Sequence, residues 1–535
     1  MAGLQEVFDR IGEAVERQLP LTHAPGMALA VTDGEEILGA VVRGLADVDR
    51  GTPIAPHTRF QIASMSKSFA GLIAVQEAAA GRLDLHVSIN RILPWLELPE
   101  PFGPLTLHHL MTHTAGLPSG GDAAPWGRAD VAPLREDPPA WPPGSRAHYS
   151  NVGWKIVGFA LEHATSMPLA RLIQERILGP LGMGDSEGWM VDAQRADSAT
   201  PYLPMHTDRP AHLQHLLAPA SWQTSTTADG SIVSTVVDMC AYLRVVLAGG
   251  APLLDPEPFA TWIGPHEDSE DPGERYGYGW MGGEVGAHRT VWHTGTNVGF
   301  NGLMAVRPAS GLGVVILMNG WGDRKPVAWY ALDVVAAALA GEPLPDVPAF
   351  PSADRIEGAD AYGGTFVGEG RSWRLRPEEG GMFLEAGPVG VRLERLGEGL
   401  LIAPHPALER FPIVPDRDDG GSVVELGHGP SRYVREGIDR PAPTAVEAWT
   451  ALEGAYRSTS PWEPLLRIYE RGGRLWLLSP ANATEDELHP LGDGSFAVGD
   501  ATSPERIRFD LEIEGMAHRL NWGGWRWLRS SMDGG

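Results

Sequence analysis

Cysteine is nearly absent from this chain: Cys240 is the only one in 535 residues. No intrachain disulfide can form, so the fold needs no oxidising compartment. Long apolar runs are missing too. No stretch approaches the roughly 18 consecutive apolar residues of a membrane-spanning helix, so no membrane span is expected. Basic residues are scarce against acidic ones, 42 against 68, for a formal net charge of −26. Nucleic acids and anionic membrane surfaces are bound through a basic face, and the balance argues against both as partners. The opening MAGLQEVFDRIGEAVERQL carries acidic residues early and no apolar core run, unlike a secretory leader. A cytoplasmic location is the resulting expectation.

What is present is ordinary soluble-protein composition at a length that exceeds one hydrophobic core, which predicts two to four domains. Leu4, Val7, Phe8, Ile11, Val15 and Leu19 recur at helical spacing and predict an amphipathic first helix. GMALAVTDGEEILGAVVRGLADV reads as two strands around an Asp33-Gly34 turn. A helix from about Thr235 to Leu247 follows in the middle of the chain. Strands return at TVWHTG, NGLMAVRP and LGVVILMN, and KPVAWYALDVVAAALAG closes the block as a strongly apolar helix. Helices at both ends with strands in two blocks predict an α+β domain over residues 1–342, an antiparallel sheet covered by helices.

The proline-rich stretch at residues 343–354 reads as a linker. Beyond it the texture changes to short alternating strands with Gly-Gly, Gly-Glu-Gly and Gly-Asp-Gly turns. DAYGGTFVGEG resembles LEGAYRSTSPW, and Gly380-Gly381 and Gly472-Gly473 turns follow at similar spacing. The order predicts two copies of a small antiparallel β-barrel, residues 355–440 and 441–535, with GIDRPAPTAVEAW between them.

Three short patterns carry chemistry. In FQIASMSKSFAGLIAVQEAAAGRL, Ser64 and Lys67 stand three residues apart, on one face of a helix. A helix N-terminus offers unpaired N–H groups and a positive dipole end, which suit an oxyanion. The apolar sequence after Lys67 predicts burial, which lowers a lysine pKa and makes it usable as a base. In PPGSRAHYSNVGW, Tyr149 sits at a loop-to-helix junction, where a tyrosine can act as an acid or base beside a cation. Asn151 is placed to hydrogen-bond the lysine and a substrate amide. An ordinary aromatic followed by an N-cap pair, Ser150 and Asn151, satisfies the same pattern. In TVWHTGTNVGFNG, His293 and Gly295 lie on a strand whose edge can pair with an extended acyl substrate, and glycine lets another backbone approach. His293 is expected to sit over the tyrosine and donate to it; alone, a strand histidine is as readily a packing residue.

Taken together and in order, SMSK, YSN and HTG resemble the S-x-x-K, Y-x-N and K/H-T-G motifs of serine β-lactamases and penicillin-binding proteins. TLHHLMTHTAGLP, ADGSIVSTVVDMCAYL and YGYGW resemble further segments of the class C and D-alanyl-D-alanine carboxypeptidase branch. The resemblance covers about Gly26 to Ala340. It implies the β-lactamase/transpeptidase-like fold and an acyl-enzyme on Ser64. It also implies Lys67, Tyr149 or both as the proton acceptor, His293 in support of Tyr149, and an oxyanion site between the backbone N–H groups of Ser64 and Thr296. Histidine replaces the lysine usual in the third motif of the lactamases. That departure resembles D-peptidases, D-aminopeptidases and peptide cyclases, and the trailing barrels resemble the lipocalin-like modules of D-aminopeptidase-like members. A small molecule or peptide is the implied partner, and no cofactor or metal is called for. Hydrolysis of D-configured amides, hydrolysis of simple esters, and acyl transfer or peptide cyclisation all remain open, with β-lactam hydrolysis and a non-catalytic scaffold as the less favoured alternatives.

Other features are given ordinary roles. His206, His212 and His215 fit no strong zinc spacing and are read as a solvated loop. Cys240 is read as core packing, and Trp522, Trp525 and Trp527 as the core of a barrel strand.

Overall fold

The computed structural model describes residues 3–530, apart from 121–126, 191, 223, 225, 398, 442, 443 and 445. Glu398 of the expected Gly-Glu-Gly turn and part of the expected separator 437–449 therefore lie outside the described residues. The chain forms two compact units, one of Met1–Leu203 and Ala218–Phe350, the other of Pro204–Leu217 and Pro351–Gly535. The change of unit after Phe350 falls inside the proline-rich stretch. The segment Pro204–Leu217 was expected in the first domain but packs with the second unit. Its anchors are distant in sequence: Leu213 N–H donates to Glu394 at 3.3 Å, and Arg467 donates to Asp208 O at 3.3 Å.

The first unit is built on a nine-stranded sheet. Gly26–Thr32 lies between Ile37–Asp47 and Leu312–Met318. Phe300–Arg307, His288–Asn297 and Met281–Val285 follow outward, with short strands at both edges. The six longer strands pair antiparallel throughout. Gly26–Thr32 is buried along its whole length, and its side chains divide by parity. Met27, Leu29 and Val31 pack with Val7, Ile11 and Val15 of helix Leu4–Gln18 and with Val334 and Val335 of helix Lys325–Ala340. Ala28 and Ala30 face the opposite layer, which holds helices Ser66–Ala79 and Val236–Leu247. Each fully buried Val or Leu contributes about 1.5–3 kcal/mol to this packing.

The first helix follows its pattern, with Val7, Ile11 and Val15 buried at four-residue intervals. Leu4 is exposed. Ser66–Ala79 is buried on nearly every side, as an apolar-all-round helix must be. It is clamped in place: a Cβ on Gly71 would come within 2.2 Å of Tyr278 O. Thr235 caps Val236–Leu247 by accepting from Asp238 N–H at 3.1 Å. Cys240 on that helix is buried in the core. Among the described residues no helix is long and apolar enough to cross a membrane.

The second unit holds two antiparallel barrels, and the faint repeat has a structural counterpart. In the first, strand Gly364–Gly368 pairs with the last strand, Ser431–Arg435, at Phe366 and Arg435. In the second, strand Gly454–Arg457 pairs with the last strand, Trp525–Arg529, at Tyr456 and Arg529. Each arginine lies over the aromatic ring opposite it, at 5.0 and 5.4 Å. Each also fills the space where a Cβ on Gly364 or Gly454 would stand. The second barrel is a closed eight-stranded one, with Trp525 and Trp527 buried and Trp522 packed against its core. The first is a nine-stranded sheet whose end strands, Val389–Arg392 and Glu394–Arg395, are consecutive in the chain but not hydrogen-bonded to each other.

Candidate active site

Ser64 sits in a single 3-10 turn, Ala63–Met65, that leads directly into helix Ser66–Ala79. The turn is wound tightly, since Ala63 takes the left-handed conformation at φ 51°, an uncommon state for a residue with a Cβ. Two neighbours hold it there. Ile62 N–H donates to Ile232 O at 3.0 Å, and Ile232 N–H donates to Ser66 Oγ at 3.2 Å. Three residues on, Lys67 is wholly buried. Its Nζ donates to Ser64 Oγ at 2.9 Å, Asn151 Oδ1 at 2.8 Å and Asp229 O at 2.8 Å. Three acceptors at these distances match the three protons of an ammonium.

Tyr149 and Asn151 arrive from the start of helix Asn151–Thr165. Ser150 is its N-cap, accepting from Gly153 N–H at 3.1 Å. The cap role and the chemical role therefore coexist in neighbouring residues: Ser150 caps, and Asn151 turns its carbonyl oxygen to Lys67. Lys67 Nζ lies 4.9 Å from the centroid of the Tyr149 ring, within cation–π range. Burial pushes the Tyr149 phenol well above its usual value, although a hydrogen bond from Ser64 works the other way. The nearby Asp229 and Glu270 carboxylates push in the same direction as burial.

His113 was not singled out in the sequence, and it shapes this wall. It takes a left-handed backbone conformation at φ 61° and stacks on Tyr149 with ring centroids 4.1 Å apart. Its Nδ1 accepts from Ser150 N–H at 2.8 Å, while Trp154 Nε1 lies 3.3 Å from its Nε2. Burial and the Lys67 ammonium hold His113 neutral, well below the usual histidine range. The Ser150 N–H acts in the same direction, because a proton added at Nδ1 would face a donor.

His293, Gly295 and Thr296 lie on strand His288–Asn297. Gly295 is the point of closest approach: a Cβ there would stand 2.2 Å from Ile62 O, beside the Ser64 turn. Its cross-strand partner Gly302 faces Met65 in the same way, with Met65 Cε 2.7 Å from the position of a Cβ. Thr296 is exposed. On the side of Met281–Val285, pairing ends at Trp292, so residues 293–297 present an edge to which an extended chain can add.

His293 does not make the expected contact with Tyr149. Its Nδ1–H donates to Thr294 O at 2.6 Å, which leaves Nε2 as an acceptor for the Tyr276 hydroxyl at 2.7 Å. Both ring nitrogens are then used. Burial, with help from the Lys67 ammonium, pushes His293 down to about 3. The third motif therefore carries no charge at neutral pH. A guanidinium reaches the same strand pair, where Arg324 Nε donates to Gly302 O at 3.2 Å.

The structure thus brings Ser64, Lys67, Tyr149 and Asn151 into one hydrogen-bonded group, with Gly295 packed against the Ser64 turn. His293 joins through Tyr276, whose ring meets both Tyr149 and His113 edge-on. Tyr276, His113 and the Asp229 carbonyl were missed. His113 and Tyr276 lie in the stretches HTAGLP and YGYGW, whose likeness to known segments was the available signal. A backbone carbonyl has no signature in sequence at all. Among the described residues, the one trio placed to hold a metal is His212, His215 and Glu409, in the second unit. This corrects the solvated-loop reading, since the His212 and His215 side chains are only 5% and 6% exposed.

Comparison with known proteins adds an independent line. The Beta-lactamase family model matches residues 13–337. A protein of Mycobacterium tuberculosis is 31% identical over 257 residues, 42% of this chain and 63% of its own. Esterase EstB of Burkholderia gladioli is 32% identical over 222 residues, 38% of this chain and 54% of its own. The chain therefore matches less than two thirds of the length of these relatives. An octameric penicillin-binding protein homologue from Pyrococcus abyssi superposes with a TM-score of 0.59 at 20% identity, over 89% of this chain and 98% of that one. D-alanine carboxypeptidase AmpC of Burkholderia cenocepacia gives 0.52 at 20% identity, over 62% and 99%. At that identity these two structures speak to the fold.

Proposed function

The chain belongs to the beta-lactamase family, and from that premise we propose that it is a serine hydrolase working through an acyl-enzyme on Ser64, with esters and small amides as substrates. The observation that carries this reading is the wholly buried Lys67, held by Ser64 Oγ, Asn151 Oδ1 and Asp229 O. Enclosing an ammonium is costly, and a well-packed apolar residue serves a scaffold as well or better. A buried cation hydrogen-bonded to a partly open serine is the arrangement of a reactive site.

In this mechanism Ser64 Oγ attacks the substrate carbonyl and its proton passes to Tyr149 Oη. A neutral phenol accepts that proton while donating its own to the leaving oxygen or nitrogen, so no free phenolate is required. The raised phenol pKa favours this relay. Lys67, with its protons already engaged, holds Ser64 and stabilises charge as it develops. The oxyanion is received by the backbone N–H groups of Ser64 and Thr296, and an ester or amide chain adds to the strand edge at 293–297. Water then releases the acyl group; an amine in its place would make the reaction an acyl transfer.

Esters come first because an esterase is among the relatives of the chain; His293 itself is neutral, and Arg324, which reaches the same strand pair, is a cation near it there. A second reading, aminoacyl amides with a free ammonium, is favoured by Glu270, while the D configuration rests on resemblance alone. The Glu270 carboxylate accepts from Tyr149 N–H at 3.1 Å and pairs with His148 at 2.9 Å, and it would attract the free ammonium of such a substrate. Release of p-nitroaniline from matched D- and L-alanyl p-nitroanilides, beside a p-nitrophenyl ester, tests both readings. Ser64-dependent ester turnover alone supports an esterase. Ser64-dependent D preference supports the second reading, and activity that survives Ser64→Ala defeats both.

A further inference from the structure

The segment Pro204–Leu217 brings two histidines with nearly enclosed side chains to one carboxylate of the second unit. A turn closed by His215 N–H on His212 O, at 3.0 Å, sets the two rings side by side with centroids 3.8 Å apart. Both face Glu409. His212 Nε2 lies 3.1 Å from Glu409 Oε2, and His215 Nε2 lies 3.7 Å from the same oxygen. One ligand atom from each of the three residues lies within 4.8 Å of the others. Arg209 hydrogen-bonds Oε1, the other carboxylate oxygen, which fixes the carboxylate with Oε2 toward the rings.

His215 is the telling residue. Its side chain is 6% exposed, yet neither ring nitrogen has a hydrogen-bond partner. Buried polar atoms are almost always paired, and an unpaired one calls for an explanation such as a bound ion. The 3.7 Å approach to Glu409 is too long for a hydrogen bond, but it suits two ligands that share an ion. With bonds of about 2.0–2.2 Å, a tetrahedral ion sets its ligand atoms about 3.3–3.6 Å apart. The two observed separations lie on either side of that range.

We propose that His212, His215 and Glu409 form a zinc site in the second unit. Two imidazoles and one carboxylate are a zinc donor set, whereas calcium and magnesium take mainly oxygen ligands. Three protein donors leave the fourth position to water. Arg209 is the positioning residue, holding the ligating carboxylate from its other oxygen as outer-shell partners do. The ion would cross-link two segments 197 residues apart at His212 and Glu409, joining the loop to the barrel unit it packs with.

The test uses the full chain without an affinity tag, stripped by a chelator and titrated with Zn²⁺ alone by calorimetry. Uptake of one ion per chain is expected, and loading with Co²⁺ should give the intense visible absorption of a four-coordinate ion. His215→Asn and Glu409→Gln, each checked for fold by circular dichroism, should lose that one equivalent and the cobalt band. No uptake by folded, stripped wild type overturns the site, as does stoichiometric uptake that both variants retain. Should the variants fail to fold, X-ray absorption on the cobalt-loaded wild type decides: two imidazoles around the ion support the site, and fewer overturn it.

Discussion

His293 accepts the hydroxyl of Tyr276 at 2.7 Å, and through that bond the third motif is joined to the aromatic wall behind Tyr149. The imidazole acts as a neutral strut. With Nδ1–H on Thr294 O and Nε2 on Tyr276, its tautomer and ring orientation are both set. Tyr276→Phe removes the donor and leaves a buried nitrogen unpaired, at a cost of about 1–3 kcal/mol in stability. Denaturant unfolding should show that loss, and ester turnover should fall with it as the wall loosens. Unchanged stability and turnover would mean the bond holds nothing in place.

Tyr149 is assigned the proton relay. Tyr149→Phe should lower kcat by about 10²–10⁴-fold, the usual worth of a positioned acid/base, with KM changed far less. Because the phenol stays neutral well above its usual value and His293 stays neutral down to about 3, neither group titrates between about pH 5 and 8. A pH profile of kcat/KM for an ester should show no inflection in that window that Tyr149→Phe or His293→Asn abolishes. Finding one would overturn the neutral relay.

Gly295 is the contact point between the substrate-edge strand and the nucleophile turn. A methyl group there would stand 2.2 Å from Ile62 O, far inside van der Waals contact, so strand and turn must part. Gly295→Ala is therefore expected to cost activity of about tenfold or more, since small misplacement of reacting groups is expensive. Circular dichroism should still report a folded chain. Wild-type turnover in the alanine variant would show that this approach does not matter.

Acid should weaken the first unit through its buried neutral histidines. In the unfolded chain His113 and His293 protonate near the ordinary value of 6.5; in the fold, His293 does so only near 3 and His113 well below 6.5. Between those values the unfolded chain holds more protons, so stability is full above about pH 6.5 and falls as pH falls. The slope is about 1.4 kcal/mol per pH unit for each group. His293 alone should contribute about 2 kcal/mol to the difference in urea unfolding between pH 7 and pH 5. His113 and the other down-shifted histidines of the unit, His108, His109 and His266, add in the same direction. His293→Asn should flatten the pH dependence by about its own share. Equal stability at both pH values would show that these rings are not held neutral.

Much of the site was legible because its signals are local. Ser64 and Lys67 are three residues apart on one helix, Ser150 and Asn151 begin another, and Gly295 is the one strand residue that allows the Ile62 carbonyl so close. The hidden parts are all long-range. Nothing near His293 in the sequence says that Tyr276 will take its nitrogen, or that the Asp229 carbonyl will reach Lys67. The same holds for the fold. The two strands around Asp33-Gly34 could be read directly, whereas the parity by which Gly26–Thr32 divides its side chains between two layers could not, because the strand is apolar almost throughout. The packing of Pro204–Leu217 with the second unit could not, because its partners, Glu394, Glu409 and Arg467, lie far along the chain. The histidines of that loop were read as solvated for the same reason.

The central claim is a covalent intermediate on Ser64, and intact-mass spectrometry after rapid acid quench of a p-nitrophenyl ester reaction tests it most directly. One acyl group per chain is expected, mapped to the peptide that contains Ser64 and absent from Ser64→Ala, with turnover lost in that variant. Turnover by Ser64→Ala, or an acyl group mapped to another residue, would contradict it.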